Sequence, residues 1–192
     1  PYVGLESARL AVMKRDDRVP TPAELDQEKM LIVRGMCEGA WGMSTGLFYA
    51  PQSYAKTEEV IALAKEAAKR GGIYDTHQRD ESTYTIGLMG SIAEVVRIAR
   101  EAAIPVHFSH IKALGVDVQG MAPEVIATIN AARAQGLDVT ANQYPWSASG
   151  TDVQSALFPR WAEDGGRQAL LKRLDDPAQL EKIRAEMPAV RR

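Results

Sequence analysis

Gly71-Gly72-Ile73-Tyr74-Asp75-Thr76-His77-Gln78-Arg79-Asp80-Glu81 is the stretch whose reading decides the fold. It opens on a glycine pair suited to the left-handed turn that ends a helix. A short β-prone run follows, and then a polar cluster that contains one histidine. Helix, strand, and polar groups at the strand's C-terminal end are how a parallel α/β sheet presents its chemistry.

The same arrangement recurs one unit downstream, in Ile104-Pro105-Val106-His107-Phe108-Ser109-His110-Ile111-Lys112, a β run that again ends in histidine and a cation. Working outward, Thr21-Pro22-Ala23-Glu24 predicts a helix start, with threonine as cap, proline at the first helical position and Glu24 closing a capping box. Leu25, Met30, Val33, Met36 and Cys37 form the expected core-facing stripe of that helix, with Cys37 as a packing residue. A weaker pattern allows a short helix around Glu6–Met13. Trp41–Leu47 reads as a strand running into a loop that holds Phe48, Tyr49, Pro51 and Tyr54. Thr57-Glu58-Glu59 is the expected cap of an amphipathic helix to about Arg70. Further helices are expected over about Ile86–Ala103 and Pro123–Gln135, and strands over Ile104–Ile111 and Leu137–Tyr144. The result is four parallel strands joined by helices, at roughly 33 residues per unit, the length of a βα crossover module. Beyond Pro145 the rhythm breaks into a polar loop, Ser147–Asp152, and two helical patterns around Gly166–Leu174 and Asp176–Met187.

Composition narrows the function. The chain has 192 residues, 45% hydrophobic and 25% charged, which is ordinary for a soluble globular domain. Its formal net charge of −2 gives no polybasic surface for nucleic acid or an anionic membrane. No run reaches the ~18 apolar residues of a membrane span, and no basic-then-apolar leader opens these residues. The lone cysteine, Cys37, excludes an intrachain disulfide and is compatible with a reducing cytoplasm. The sequence begins at Pro1 and runs out at Pro188-Ala189-Val190-Arg191-Arg192 with no closing strand, so a fragment of a longer protein is expected.

Period-two alternation groups Ile73, Asp75, His77 and Arg79 on one face of the first histidine strand. It groups Val106, Phe108, His110 and Lys112 in the second, and Asp138, Thr140, Asn142 and Tyr144 in the last. His107 has the opposite parity and is expected to face helices or solvent. Two strand-end histidines, each preceded by a hydroxyl residue, are compatible with a shared metal and equally with hydrogen-bonded structural roles. Arg79 is expected to pair with Asp80 or Glu81 and shape the loop.

Gly42-Met43-Ser44-Thr45-Gly46-Leu47, Tyr74–Glu81, Ser109-His110-Ile111-Lys112 and Gln143-Tyr144-Pro145-Trp146-Ser147-Ala148-Ser149 stand in an order that resembles the D-aminoacylases, the N-acyl-D-amino-acid deacylases of the amidohydrolase superfamily. The resemblance runs through nearly the whole chain, and the Ser-His-Ile-Lys run is its strongest part. It implies an α/β fold that is part of a (β/α)8 TIM-type barrel, about strands four to seven. Residues 1–145 would be the partial barrel, and residues 146–192 a helical insertion or lid region of the same domain. It further implies one or two zinc ions, with His77 and His110 as ligands. Lys112 and Tyr144 would bind the substrate carboxylate and the polarised amide, and Phe48 would line the side-chain pocket. The family's first-strand His-x-His pair, its bridging cysteine and its eighth-strand general-base aspartate have no counterpart in these residues. Asn142 stands where aspartate is usual, and Asp75 where a small residue is usual, so a buried Asp75 would need a partner or a raised pKa.

The implied reaction is zinc-dependent hydrolysis of a small N-acyl-D-amino acid to a carboxylate and a free D-amino acid. Zinc suits it as a Lewis acid that lowers the pKa of bound water to about 7. Two other readings stay open here: a cyclic-amide or ureide hydrolase of the same superfamily, and a non-catalytic partial barrel. With two ligands and open strand edges, the isolated chain is expected to hold zinc weakly, turn over little substrate and self-associate.

Overall fold

The computed structural model describes residues 1–187; Pro188–Arg192 lie outside the described residues. Five parallel strands form one sheet: β1 (Val3–Gly4), β2 (Gly42–Gly46), β3 (Ile73–His77), β4 (Val106–Phe108) and β5 (Val139–Ala141). They lie side by side in chain order, linked by α1 (Leu5–Val12), α2 (Pro22–Cys37), α3 (Thr57–Ala68), α4 (Gly87–Ala102) and α5 (Ala122–Ala134). Four of these strands were expected; β1 was not, because two residues ending in glycine carry no alternation to read.

Residue chemistry explains each boundary. Thr21 caps α2 by accepting from Glu24 N at 3.3 Å, and Glu24 returns the bond from Thr21 N at 2.8 Å. The expected stripe of this helix is wrong at two positions. Met30 and Cys37 are exposed, and the buried line runs through Glu28 and Ile32 beside Leu25 and Met36. A carboxylate in the middle of that line hides it from a hydrophobicity pattern. Lys56, not Thr57, occupies the cap position of α3, and the Thr57 hydroxyl donates to Glu94 at 2.8 Å.

One face of the sheet carries Met43, Tyr74, Val106 and Val139 in register, with Phe108 beside them, all buried against Val60, Leu63, Ile92 and Val95 of α3 and α4. Each such side chain contributes roughly 1.5–3 kcal/mol by leaving water. Gly42 permits the tight β2–β3 approach, since a Cβ there would collide with the Ile73 backbone. The opposite row aligns Ser44, Asp75, His107 and Thr140. Asp75 is partly buried and accepts from Ser109 Oγ at 2.7 Å, so it has the partner its position required. His107 belongs to this row, its Nδ1 2.8 Å from Thr140 Oγ1; the helix-facing row is that of Val106 and Phe108.

After β5 come α6 (Val153–Leu157), a 3-10 turn (Arg160–Glu163), α7 (Arg167–Asp175) and α8 (Pro177–Glu186), built on a small core of Ala162, Leu170 and Ile183. The Asp17 amide donates to Asp164 Oδ1, and the Tyr54 hydroxyl to the Arg160 carbonyl, which fastens this segment to the loops around the first strands. Among the described residues no helix is long and apolar enough to cross a membrane.

Candidate metal centre

The C-terminal ends of β3 and β4 meet at His77 and His110, whose ring centroids are 4.7 Å apart at 84°. His77 arrives there by ending β3. Its Nδ1 lies 3.0 Å from the Gln78 carbonyl, which can only accept, so Nδ1 carries the proton and Nε2 keeps its lone pair. Burial holds its pKa below the usual histidine range, and the neighbouring His110 and Lys112 act in the same direction against Glu81. The ring is therefore neutral near pH 7, the form that binds metal.

His110 reaches the site by a different route from the one alternation predicts. β4 ends at Phe108, and His110 has a left-handed backbone, φ 41°. That turn swings its side chain off the row of Val106 and Phe108 and toward His77. Asn142 secures it, its Oδ1 accepting from His110 N at 2.5 Å while its carbonyl accepts from Ile111 N. An aspartate at this position would offer the same acceptor, which accounts for how Asn142 serves here.

Glu81 is the site residue that sequence reading passed over. It is 4% exposed, accepts from Lys112 Nζ at 2.6 Å, and lies 3.5 Å from His110 Nδ1. A carboxylate four residues after the strand-end histidine, at the close of the same polar cluster, was the available signal. Lys112 Nζ is also 2.9 Å from His110 Nδ1 and 5.4 Å from the Tyr144 ring centroid. Tyr144 itself stands 6.3 Å from His110, outside any strand. Phe48 lines the cavity and is buried against His77, centroids 5.6 Å apart and nearly parallel. Arg79 takes no part: it pairs with Glu94 at 2.8 Å and donates to the Ser53 and Ala55 carbonyls, in place of the expected Asp80 or Glu81. Asp80 instead accepts from the Ser82, Thr85 and Gly87 amides and shapes the loop.

Donor atoms of His77, Glu81 and His110 all lie within 4.8 Å of one another. Two imidazoles and a carboxylate are a zinc donor set, and bonds of about 2.0–2.2 Å bring such donors to within ~3.5 Å of each other, a short side-chain movement from this geometry. The residues present thus fit a divalent ion, with two imidazoles to hold it and the Glu81 carboxylate beside them. The site opens into a cavity of about 350 Å³, where Tyr49, Tyr84, Tyr144 and Trp146 add aromatic wall.

A parallel sheet in chain order, with its polar cluster at the strands' C-terminal end, is the arrangement of part of a (β/α)8 barrel. No family model matches the chain. The D-aminoacylase of Alcaligenes xylosoxydans xylosoxydans is 38% identical over 149 residues, which cover 78% of this chain and 30% of that protein. The N-acyl-D-aspartate deacylase of the same organism is 37% identical over 147 residues, 76% of this chain and 29% of that protein. A solved N-acyl-D-glutamate deacylase from Bordetella bronchiseptica, complexed with zinc and a phosphonate mimic of the tetrahedral intermediate, is 34% identical with a TM-score of 0.71. It covers 76% of this chain and 30% of that one. The chain belongs to the D-aminoacylase family, the N-acyl-D-amino-acid deacylases. It spans 29–30% of the length of these curated relatives.

Proposed function

We propose that these residues carry part of the active site of a zinc-dependent deacylase that hydrolyses N-acyl-D-amino acids to a carboxylate and a free D-amino acid. The observation that carries this reading is the convergence of His77, Glu81 and His110 within 4.8 Å, in a chain related to three kinds of N-acyl-D-amino-acid deacylase. His77, through Nε2, and His110 are the metal ligands, and Glu81 supplies a carboxylate beside them. Bound zinc supplies Lewis acidity and a water of pKa near 7.

This chain's own groups orient the substrate. Lys112 donates to Glu81, and its contact with His110 Nδ1 gives way when that ring ligates metal, which leaves donors for the substrate carboxylate. Tyr144 brings a phenol to the same cavity, where it stabilises negative charge growing on the amide oxygen. The aromatic wall excludes water from the polarised bond. The general base would be an aspartate outside these 192 residues. Residues 146–192 act as the helical insertion over this end of the barrel, and the single cysteine accords with a cytoplasmic setting.

Calorimetric zinc titration of residues 1–192 tests the ligand set. His77→Ala and His110→Ala should each weaken binding at least tenfold, and unchanged affinity in both would remove the metal assignment. Hydrolysis of N-acetyl-D-methionine, N-acetyl-D-aspartate and N-acetyl-D-glutamate, measured for residues 1–192 beside any longer protein that contains them, tests the reaction. The longer protein should turn over D but not L substrates.

A further inference from the structure

Phe48 does more than line a pocket. It links the segment after β5 to His77. The Arg160 guanidinium carbon sits over the Phe48 ring, 4.3 Å from its centroid. The His77 imidazole stacks on the same residue, 5.6 Å away and 13° from parallel. Phe48 is only 6% exposed, and the edges of its neighbours brace it: Tyr49 at 5.1 Å and 86°, Tyr84 at 5.4 Å and 77°. Tyr49 also meets His77 edge-on, 5.0 Å away at 82°.

Arg160 is itself anchored. Arg160 Nη1 donates to the Ser155 carbonyl at 2.9 Å and to Glu163 Oε1 at 3.2 Å. Glu163 is 6% exposed and is held in turn by Gln154 Nε2 at 2.6 Å. The guanidinium carbon is thereby fixed over an aromatic face, a position favoured by the ring's quadrupole.

His77 needs such a support. Its ring makes one described hydrogen bond, to the carbonyl of the very next residue, a local contact that leaves the tilt of the ring loosely defined. Rotation about the Cβ–Cγ bond is broad for an imidazole and would exchange the positions of nitrogen and carbon. A flat aromatic surface on one face and a ring edge on another remove that freedom.

We propose that Phe48, held in place by Arg160, is the positioning residue that keeps His77 Nε2 directed at Glu81 and His110. The turn at residues 160–163 therefore bears on the metal site without touching it. The idea rests on His77 being a ligand, and its test separates the two claims.

The first readout needs no metal. Imidazole nitrogen and ring-proton NMR signals, assigned through His77→Ala, report the His77 tautomer and its stacking directly. Phe48→Leu, which keeps apolar volume and loses the flat face, should shift the ring protons and lower the Nδ1–H population. Phe48→Tyr should restore both. Arg160→Gln should move them in the same direction as Phe48→Leu, by less. The second readout is zinc affinity, with about a tenfold loss expected for Phe48→Leu, as for other groups that orient a ligand. Phe48→Tyr should remain within twofold of the parent chain. If zinc binding ignores His77→Ala, the ligand assignment fails, while the NMR comparison still decides the positioning role. Unchanged His77 signals in Phe48→Leu overturn the proposal. Should circular dichroism show that variant unfolded, unchanged signals in Arg160→Gln overturn it instead.

Discussion

His110 holds a backbone conformation that non-glycine residues adopt uncommonly, and such residues gather at functional sites because the surroundings compel them. Asn142 supplies the compulsion through its side-chain acceptor. Asn142→Ala should therefore destabilise the fold by about 1–2 kcal/mol and weaken zinc binding, whereas Asn142→Asp should preserve both; urea unfolding and zinc titration measure the pair. Glu28 is a second residue under constraint. It is fully buried with neither carboxylate oxygen hydrogen-bonded, and burial beside Glu59 and Glu24, offset in part by Arg9, raises its pKa to about 7. A raised carboxyl pKa means the folded chain binds the proton more tightly than the unfolded one. This contribution is fully present below 4.5, is lost as pH rises to about 7, and is level above that. Glu28→Gln should gain on the parent chain by about 2–3 kcal/mol across that window, read from unfolding midpoints at several pH values. A variant that tracks the parent at every pH contradicts a protonated Glu28. Sequence reading reached the metal site unevenly at this scale. His77 was legible because strand and chemistry coincide in one short run. His110 was reached through an alternation that β4 does not sustain, and Glu81 stayed hidden because nothing in a string of letters says that a loop carboxylate will be buried.

Secondary-structure elements were legible wherever their cause is local. The Thr21 and Glu24 capping box, the helix-ending glycines and the apolar lines of α3 and α4 depend on neighbours a few residues apart. The inward line of α2 does not, since burial of Glu28 depends on Arg9 and Glu59 from two other helices. Arg79 shows the same limit. Its partner Glu94 lies on α4, and together with the Ser53 and Ala55 carbonyls it ties the end of β3 to the loop after β2. Both side chains are largely buried, so losing one strands the other. Arg79→Met should cost about 3–5 kcal/mol, and adding Glu94→Leu should return part of it, a comparison that chemical denaturation of both variants settles. Gly42→Ala should be no milder, because the backbone of β3 occupies the space a methyl group needs. A soluble, fully folded Gly42→Ala protein would show that β2 and β3 lie further apart than described.

For the whole molecule, β1 pairs only with β2 and β5 only with β4 among the described residues. Each end of the sheet therefore offers unpaired backbone groups to another chain. Residues 1–192 should accordingly form concentration-dependent assemblies by light scattering, and a monomer that persists at high concentration would argue against edge pairing. Strand order that follows chain order has a further outcome, which concerns synthesis. Each unit finds its partner already made, so contacts form over short sequence separations and assembly can proceed from the N-terminus as the chain leaves the ribosome. Under that schedule the two imidazoles meet once Asn142 has emerged, whereas the contact on Phe48 waits for Arg160. Nascent chains whose emerged part ends shortly after residue 145 should then resist protease across β1–β5 yet hold zinc poorly. Chains arrested after α8 should gain metal retention with little further gain in protection.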